Sequence, residues 1–282
     1  MNTKISDTDF KYVSDLACRN SAIILNESKK YLVESRLEPL AKKMGYVTLA
    51  ELVKALRDES QFGRLHAETI DALTTNETYF FRDFHPFDAL KRTLIPELIE
   101  KNRATKTLSI WCAACSSGQE PYSIAMTIRE NFPELAHWKV SITATDLSPT
   151  VLERAKEGRY NQIEVNRGLP ANLLIKYFKK EGDEWAINSS LRDMIQFREL
   201  NLIKPWPVFP PFDFIFIRNV LIYFDVETKR SILKKLGACI RNHGYLFLGT
   251  SESVLNIDDS WDSTNIERTV VYKKKGMDFS KN

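Results

Sequence analysis

The hydrophobic period changes once along this chain, and that change restricts it to a small set of folds. Up to about residue 75, apolar residues recur at three- and four-residue steps: Phe10, Val13 and Leu16, then Leu49, Leu52, Val53 and Leu56. That spacing is the period of an amphipathic helix. The first 44 residues contain no glycine, and Pro39 is their only helix-breaking residue. Residues 1–75 therefore read as a small all-α domain. Residues 76–106 read as a linker and a first helix contributing to the site that follows.

From about residue 107 strands alternate with helices. Thr107–Trp111 and Trp138–Thr145 are strand candidates, each followed by a helical stretch, from Pro121 and from Ser148–Pro149 through Lys156. Ser148 supplies an N-cap and Pro149 a first-turn proline. Phe212–Ile217 is nearly all apolar, as a parallel strand covered on both faces should be. A charged helix over about Val226–Arg241 leads to a further strand at Gly244–Gly249, and Thr269–Tyr272 reads as an edge strand. This alternation predicts a parallel, doubly wound α/β sheet over residues 107–282. Between the helix ending near Lys156 and a strand at Met194–Arg198 lie too many residues for an ordinary connection, so an inserted subdomain is expected over about residues 158–198. Asp183–Ile187 and Ile195–Phe197 within them read as short antiparallel strands of an inserted β-subdomain, and the polar stretch from Lys273 onward reads as a frayed tail.

Charge and composition exclude several functions. The 282 residues carry 40 Lys+Arg against 37 Asp+Glu, a net charge of +3, so no whole-chain basic field marks a nucleic-acid binder. Met1–Asp7 lacks the apolar core of an export signal, and Phe212–Phe224, the most apolar run, is too short to span a bilayer and is broken by Asp213, Arg218 and Asn219. Four cysteines are too sparse for a secreted disulfide scaffold. A cytoplasmic protein is expected.

Ligands of open α/β sheets bind beyond the carboxyl ends of the strands, so the residues at those ends carry the functional reading. After the first strand comes Ala113-Ala114-Cys115-Ser116-Ser117-Gly118-Gln119-Glu120-Pro121. Small residues let the backbone approach a ligand, and the helix that follows offers unpaired N–H groups. Glu120 would repel a phosphate; it suits either a ligand with cationic groups and hydroxyls or a plain helix-dipole role. Asp146 ends the second strand, 28 residues after Gly118 against a usual spacing of about 20. Its carboxylate could accept both hydroxyls of an adenosine ribose, or it could simply cap the next helix. Asn201-Leu202 offers an amide and an apolar contact for an adenine. Arg218-Asn219 lies inside an apolar run, where a charge needs either a ligand-filled crevice or a buried ion pair. Cys112 and Cys115 formally match a C-x-x-C redox pair, although small residues suited to a tight loop explain them better. Cys18, Cys239 and the four histidines have no metal-ligand spacing, and no metal is expected.

The string Thr74-Thr75-Asn76-Glu77-Thr78-Tyr79-Phe80-Phe81-Arg82-Asp83 resembles the motif joining the two domains of the chemotaxis receptor methyltransferases, the CheR family of protein-glutamate O-methyltransferases. Ser116–Ser123, Ala144–Ser148, Phe212–Asp225 and Gly249–Ser253 resemble that family's remaining landmarks in the same order, across nearly the whole chain. The resemblance implies a Rossmann-like methyltransferase domain with S-adenosylmethionine as methyl donor, S-adenosylhomocysteine as product, and receptor glutamates as acceptors. It implies that Asn76, Thr78, Arg82, Glu120, Asp146, Asn201, Leu202, Arg218 and Asn219 surround the cofactor, with Arg82 and Tyr223 nearest the transferring methyl.

The implied partner is the cytoplasmic helical domain of chemoreceptors, without nucleic acid or membrane insertion, and the protein is expected to be a monomer. Residues 28–43 carry Lys29, Lys30, Arg36, Lys42 and Lys43 against Glu34 and Glu38. This is either a solvated helix face or a basic face that steers the acidic methylation helices of a receptor. Three competing functions are a methyltransferase for another substrate, a cofactor-binding regulatory module without catalysis, and a thiol oxidoreductase.

Overall fold

The computed structural model describes residues 4–59 and 61–276. The opening residues read above for an export signal lie in part outside this range, as does the tail beyond Gly276. The chain separates into two compact units. One comprises residues 1–75, Asn201–Pro205 and Tyr223–Thr228; the other holds 76–200, 206–222 and the chain from Lys229 onward.

The first unit is built on α1 (Asp7–Ser21), α2 (Lys30–Lys43), α3 (Leu49–Asp58) and α4 (Arg64–Leu73). Ser6 caps α1 by accepting from the Asp9 N–H, and α1 stops at Ala22, whose φ of 55° is left-handed. Thr48 caps α3 through the Glu51 N–H while the Glu51 carboxylate accepts from Val47. Phe10, Val13, Leu37, Leu52, Val53 and Leu56 turn inward to form this unit's core, so the three- and four-residue period marks the buried face. Helix α2 runs through Pro39, which sits on its exposed side.

The second unit begins with α5 (His85–Ala89), a π-helical turn at Leu90–Leu94 and α6 (Ile95–Lys101). Then come β1 (Thr107–Ala113), α7 (Gln119–Asn131), β2 (Lys139–Asp146) and α8 (Pro149–Glu157), the last capped by Ser148 through the Val151 N–H. The inserted lobe follows: β3 (Arg159–Asn161), α9 (Gln162–Asn166), α10 (Ala171–Tyr177), β4 (Phe178–Glu181), β5 (Glu184–Ile187) and α11 (Ser189–Arg192). The chain then returns through β6 (Ile195–Glu199), β7 (Phe212–Ile217), α12 (Val226–Cys239), β8 (Ile240–Leu248), β9 (Trp261–Ile266) and β10 (Thr269–Lys274).

The large sheet has the order β6-β2-β1-β7-β8-β10-β9 and the small one β3-β5-β4. Strands β6, β2, β1, β7 and β8 are parallel, and every residue of β7 is buried. From β1 the chain winds outward through β2 to β6, then returns to the opposite side of β1 as β7. The order therefore reverses between β1 and β7, the topological switch point at which doubly wound sheets bind ligands.

Three sequence expectations need correction. Ile195–Phe197 is not an antiparallel strand of the inserted lobe; it belongs to β6, which pairs parallel with β2 at the sheet edge. Thr269–Tyr272 is not an edge strand either, because β9 covers it. Lys273 does not start a frayed tail: it is buried in β10, with its ammonium 4.2 Å from the Tyr245 ring centroid.

At the amino end of β7, Asp213 is 0% exposed. Its Oδ1 accepts from Asn102 Nδ2 at 3.0 Å and lies 3.3 Å from both Arg241 and His243, and its Oδ2 accepts from the Ser109 N–H at 2.8 Å. A buried donor left without its acceptor costs about 1–3 kcal/mol. Asp213→Ala is accordingly expected to lower the urea midpoint of unfolding markedly. An unchanged midpoint would show that the carboxylate does not hold the base of this sheet.

Candidate functional site

The ends of β1 and β7 at the switch point, and the segment before α5, carry backbone that proteins normally avoid. Ala114 and Ser116 after β1, Asn219 after β7, and Phe81, Asp83 and Phe84 in the segment before α5 all have φ between 50° and 66°. Six left-handed non-glycine residues at roughly 1–2 kcal/mol each persist only where the surroundings over-determine them. Gly118, at φ 92°, completes the loop after β1. A Cβ there would sit 3.0 Å from that of Ala155 and 3.2 Å from the Tyr160 hydroxyl, so glycine fits both the angle and the space.

Asp146 fixes that loop. Its Oδ2 accepts from the Ser116 N–H at 2.7 Å and its Oδ1 from the Ser148 N–H at 3.0 Å, which orients the carboxylate at the tip of β2. The capping and the ligand readings of Asp146 are thus compatible, since an ionised carboxylate has about four acceptor sites. Ser116 Oγ donates to the Asn76 carbonyl at 2.8 Å, tying the start of the 76–84 segment to the same loop. Phe81 N–H donates to Ser123 Oγ, farther along α7.

Arg218 joins these parts. Its side chain is 2% exposed; Nη1 donates to Glu120 Oε2 at 2.8 Å, and Nη2 donates to Asp83 Oδ2 at 2.6 Å and to the Arg82 carbonyl at 3.0 Å. The buried ion pair is therefore present, built from Glu120 at the start of α7 and from Asp83, a residue outside the expected site. Burial pushes the Glu120 carboxyl pKa up, against the pull of Arg218. Arg82 reaches outward: Nη1 donates to the Glu77 carbonyl, and the guanidinium lies 5.5 Å from the Tyr79 ring centroid.

Asn219 is held by Glu252, which also lay outside the expected set although it belongs to the Gly249–Ser253 string. Glu252 Oε2 accepts from the Asn219 and Gly249 N–H groups and Oε1 from Ile222. Asn219 Oδ1 and Arg218 Nε are buried and have no hydrogen-bond partner within the protein. An unsatisfied acceptor and an unsatisfied donor on adjacent residues suit a group that is itself both cationic and anionic, such as an amino acid.

The remaining expected residues group differently. Asn201, Leu202 and Tyr223 belong to the helical unit. There Asn201 Nδ2 donates to the Asn20 carbonyl, and its Oδ1 accepts from Ile203. Thr78 lies between Asn76 and Tyr79 on the connecting segment. Just before α2, Lys29 donates to the Ile24 carbonyl; on α2, Lys30 pairs with Asp7 and Lys43 with Glu68. Arg36 is anchored on the Leu73 carbonyl and Thr75 Oγ1, and Lys42 is exposed. Cys112 and Cys115 are buried and their thiols are pushed well up by burial, the opposite of a reactive thiolate.

A doubly wound, mostly parallel sheet with a strained small-residue loop, a fixed carboxylate and a buried arginine clamp at its switch point defines an α/β domain of the ligand-binding, doubly wound class. Residues 76–270 match the family model described as CheR methyltransferase, SAM binding domain, and residues 8–74 match CheR methyltransferase, all-alpha domain. The chain belongs to the CheR methyltransferase family. It is 41% identical over 275 residues to chemotaxis protein methyltransferase 1 of Pseudomonas aeruginosa, covering 96% of this chain and 99% of that protein. It is 40% identical over 271 residues to chemotaxis protein methyltransferase Cher2 of Pseudomonas putida (94% and 96%), and 39% over 277 residues to the chemotaxis protein methyltransferase of Vibrio parahaemolyticus (96% and 98%). The sheet unit is thus an S-adenosylmethionine-binding methyltransferase domain. Among the described residues no helix is long and apolar enough to cross a membrane.

The raised Glu120 pKa makes a signed prediction. The native state holds this proton more tightly than the unfolded chain does. The group's contribution to stability is therefore present below its unfolded pKa, near 4.5, and is lost as pH rises through the folded value. Glu120→Gln removes that loss, so from about pH 4.5 upward its unfolding free energy should fall less with pH than that of the native protein. Urea titrations at several pH values test this, and an equal or steeper fall would contradict it.

Proposed function

We propose that this protein transfers a methyl group from S-adenosylmethionine to glutamate side chains of chemoreceptors, forming glutamate methyl esters in the cytoplasm and acting as a monomer. The observation that carries this reading is the match to chemotaxis methyltransferases along almost the whole chain, combined with a site that offers positioning groups. The donor's sulfonium makes the methyl group electrophilic.

The chain's own residues have complementary tasks. A glutamate acceptor, pKa about 4.3, is ionised at neutral pH and needs no general base. The site therefore has to align acceptor oxygen, methyl carbon and sulfur, and such positioning contributes about 7–11 kcal/mol in favourable cases. Asp146, already oriented by two backbone N–H groups, would accept from the ribose hydroxyls, with the Asn201 amide and Leu202 serving the adenine. The unsatisfied Arg218 Nε and Asn219 Oδ1, together with Glu120, would meet the carboxylate and ammonium of the methionine portion. Asn76, whose carbonyl accepts from Ser116 Oγ, and Thr78 would line the donor from the connecting segment. Arg82 would orient the acceptor carboxylate, with Tyr223 bordering the methyl.

Incubation with labelled methyl donor and receptor-containing membranes should place base-labile methyl on the receptor band; absence of label, or a base-stable label, overturns the reading. Arg82→Ala should lower turnover on the order of 10²-fold, the cost expected for a misplaced reactant, and near-normal turnover refutes its role. Replacing both Lys42 and Lys43 by Glu should raise the KM for receptor and leave donor affinity intact. Loss of donor binding would instead contradict a docking role for α2.

A further inference from the structure

The inserted lobe contacts the segment that presents Arg82 at five points. The buried Phe80 ring packs edge-on against Tyr160 of β3 and Phe178 of β4, with centroids 5.0 and 5.7 Å away. Gly168, at φ 83°, comes so close to the Phe80 carbonyl that a Cβ there would lie 2.1 Å from its oxygen. The neighbouring Arg167 places Nη2 2.7 Å from Glu77 Oε1, and its guanidinium lies 4.4 Å from the Tyr79 ring centroid. Arg82 uses the same two residues, donating to the Glu77 carbonyl at 3.0 Å and lying over the Tyr79 ring.

Two guanidinium groups thus share one phenol ring and one glutamate. Arg167 is fastened by its carboxylate partner and by Gly168 beside it. Arg82 takes its place on the ring that Arg167 already covers and on the carbonyl of the glutamate whose carboxylate Arg167 holds. Arginine suits this job better than lysine because its planar fork can pair with a carboxylate and lie on a ring at once.

We infer that Arg167 is a positioning residue for Arg82: through Tyr79 and Glu77 it sets where the Arg82 guanidinium stands, which makes the inserted lobe part of the scaffold for methyl transfer. The inference rests on the role proposed above for Arg82. It follows that a displacement of the 167–168 segment changes the rate of transfer without any direct contact with substrate.

Receptor methylation kinetics on the full chain, with a double-mutant cycle, test it. Arg167→Ala should lower kcat about three- to tenfold, the range that an exposed cation–π contact and ion pair can supply. The KM for the methyl donor and the unfolding temperature should not change. Arg167→Lys, which keeps a cation over the ring, should recover part of the loss. In an Arg82→Ala background, measured under single-turnover conditions, Arg167→Ala should have no further effect. An unchanged kcat for Arg167→Ala, or the same fold-loss with and without Arg82, overturns the inference and leaves the proposed function standing. Normal turnover in Arg82→Ala instead refutes the role of Arg82, and the inference with it.

Discussion

A guanidinium that is 2% exposed in the apolar end of a sheet must find its counter-charges inside the protein, and Arg218 finds them on two other segments. Glu120 brings the start of α7 to the tip of β7. Asp83 and the Arg82 carbonyl bring the connecting segment to the same place. Removing either carboxylate would leave the cation under-compensated in a low-dielectric setting, where such losses cost several kcal/mol. The left-handed residues cluster on the segments this arginine gathers, and the clamp is one reason their strain is tolerated.

Carboxylates do the complementary work on the backbone. Asp146 collects two N–H groups at the tip of β2, and Glu252 collects three at the ends of β7 and β8. Each converts a flexible loop into a fixed edge, because a buried N–H without an acceptor is costly. The loops at the switch point are therefore held by the chain's own groups, which is what a reaction governed by alignment requires.

Much of this was legible in the sequence, and the gaps have physical causes. Phe212–Ile217 was readable as a buried strand because both of its faces are covered, and Thr107–Trp111 because it sits in the same layer. Strand β9 went unread because Trp-Asp-Ser-Thr-Asn-Ile is polar and half exposed, as an edge strand can be. Short strands such as Ile195–Phe197 carry no record of their partner, so β6 was placed in the wrong sheet. For the site, Arg218 could be singled out as a charge in an apolar run, but its partners are 98 and 135 residues away, a distance that no local spacing encodes. Glu252, Asp83 and Arg167 share that invisibility: each matters for the backbone or ring it holds, and residue type alone does not reveal that.

The contrast between the two arginines bears on how a carboxylate acceptor could be handled. As an ester forms the acceptor loses its negative charge, so a cation that held the carboxylate tightly would stabilise the ground state more than the transition state and slow the reaction. Arg218 is matched by two carboxylates and has little left to offer an incoming anion. Arg82 is tethered through a carbonyl and a ring face, neither of which neutralises it. In the proposed reaction that leaves one cation as scaffold and the other as a light guide for the acceptor. The division follows from where the counter-ions are placed, since the two side chains are chemically identical.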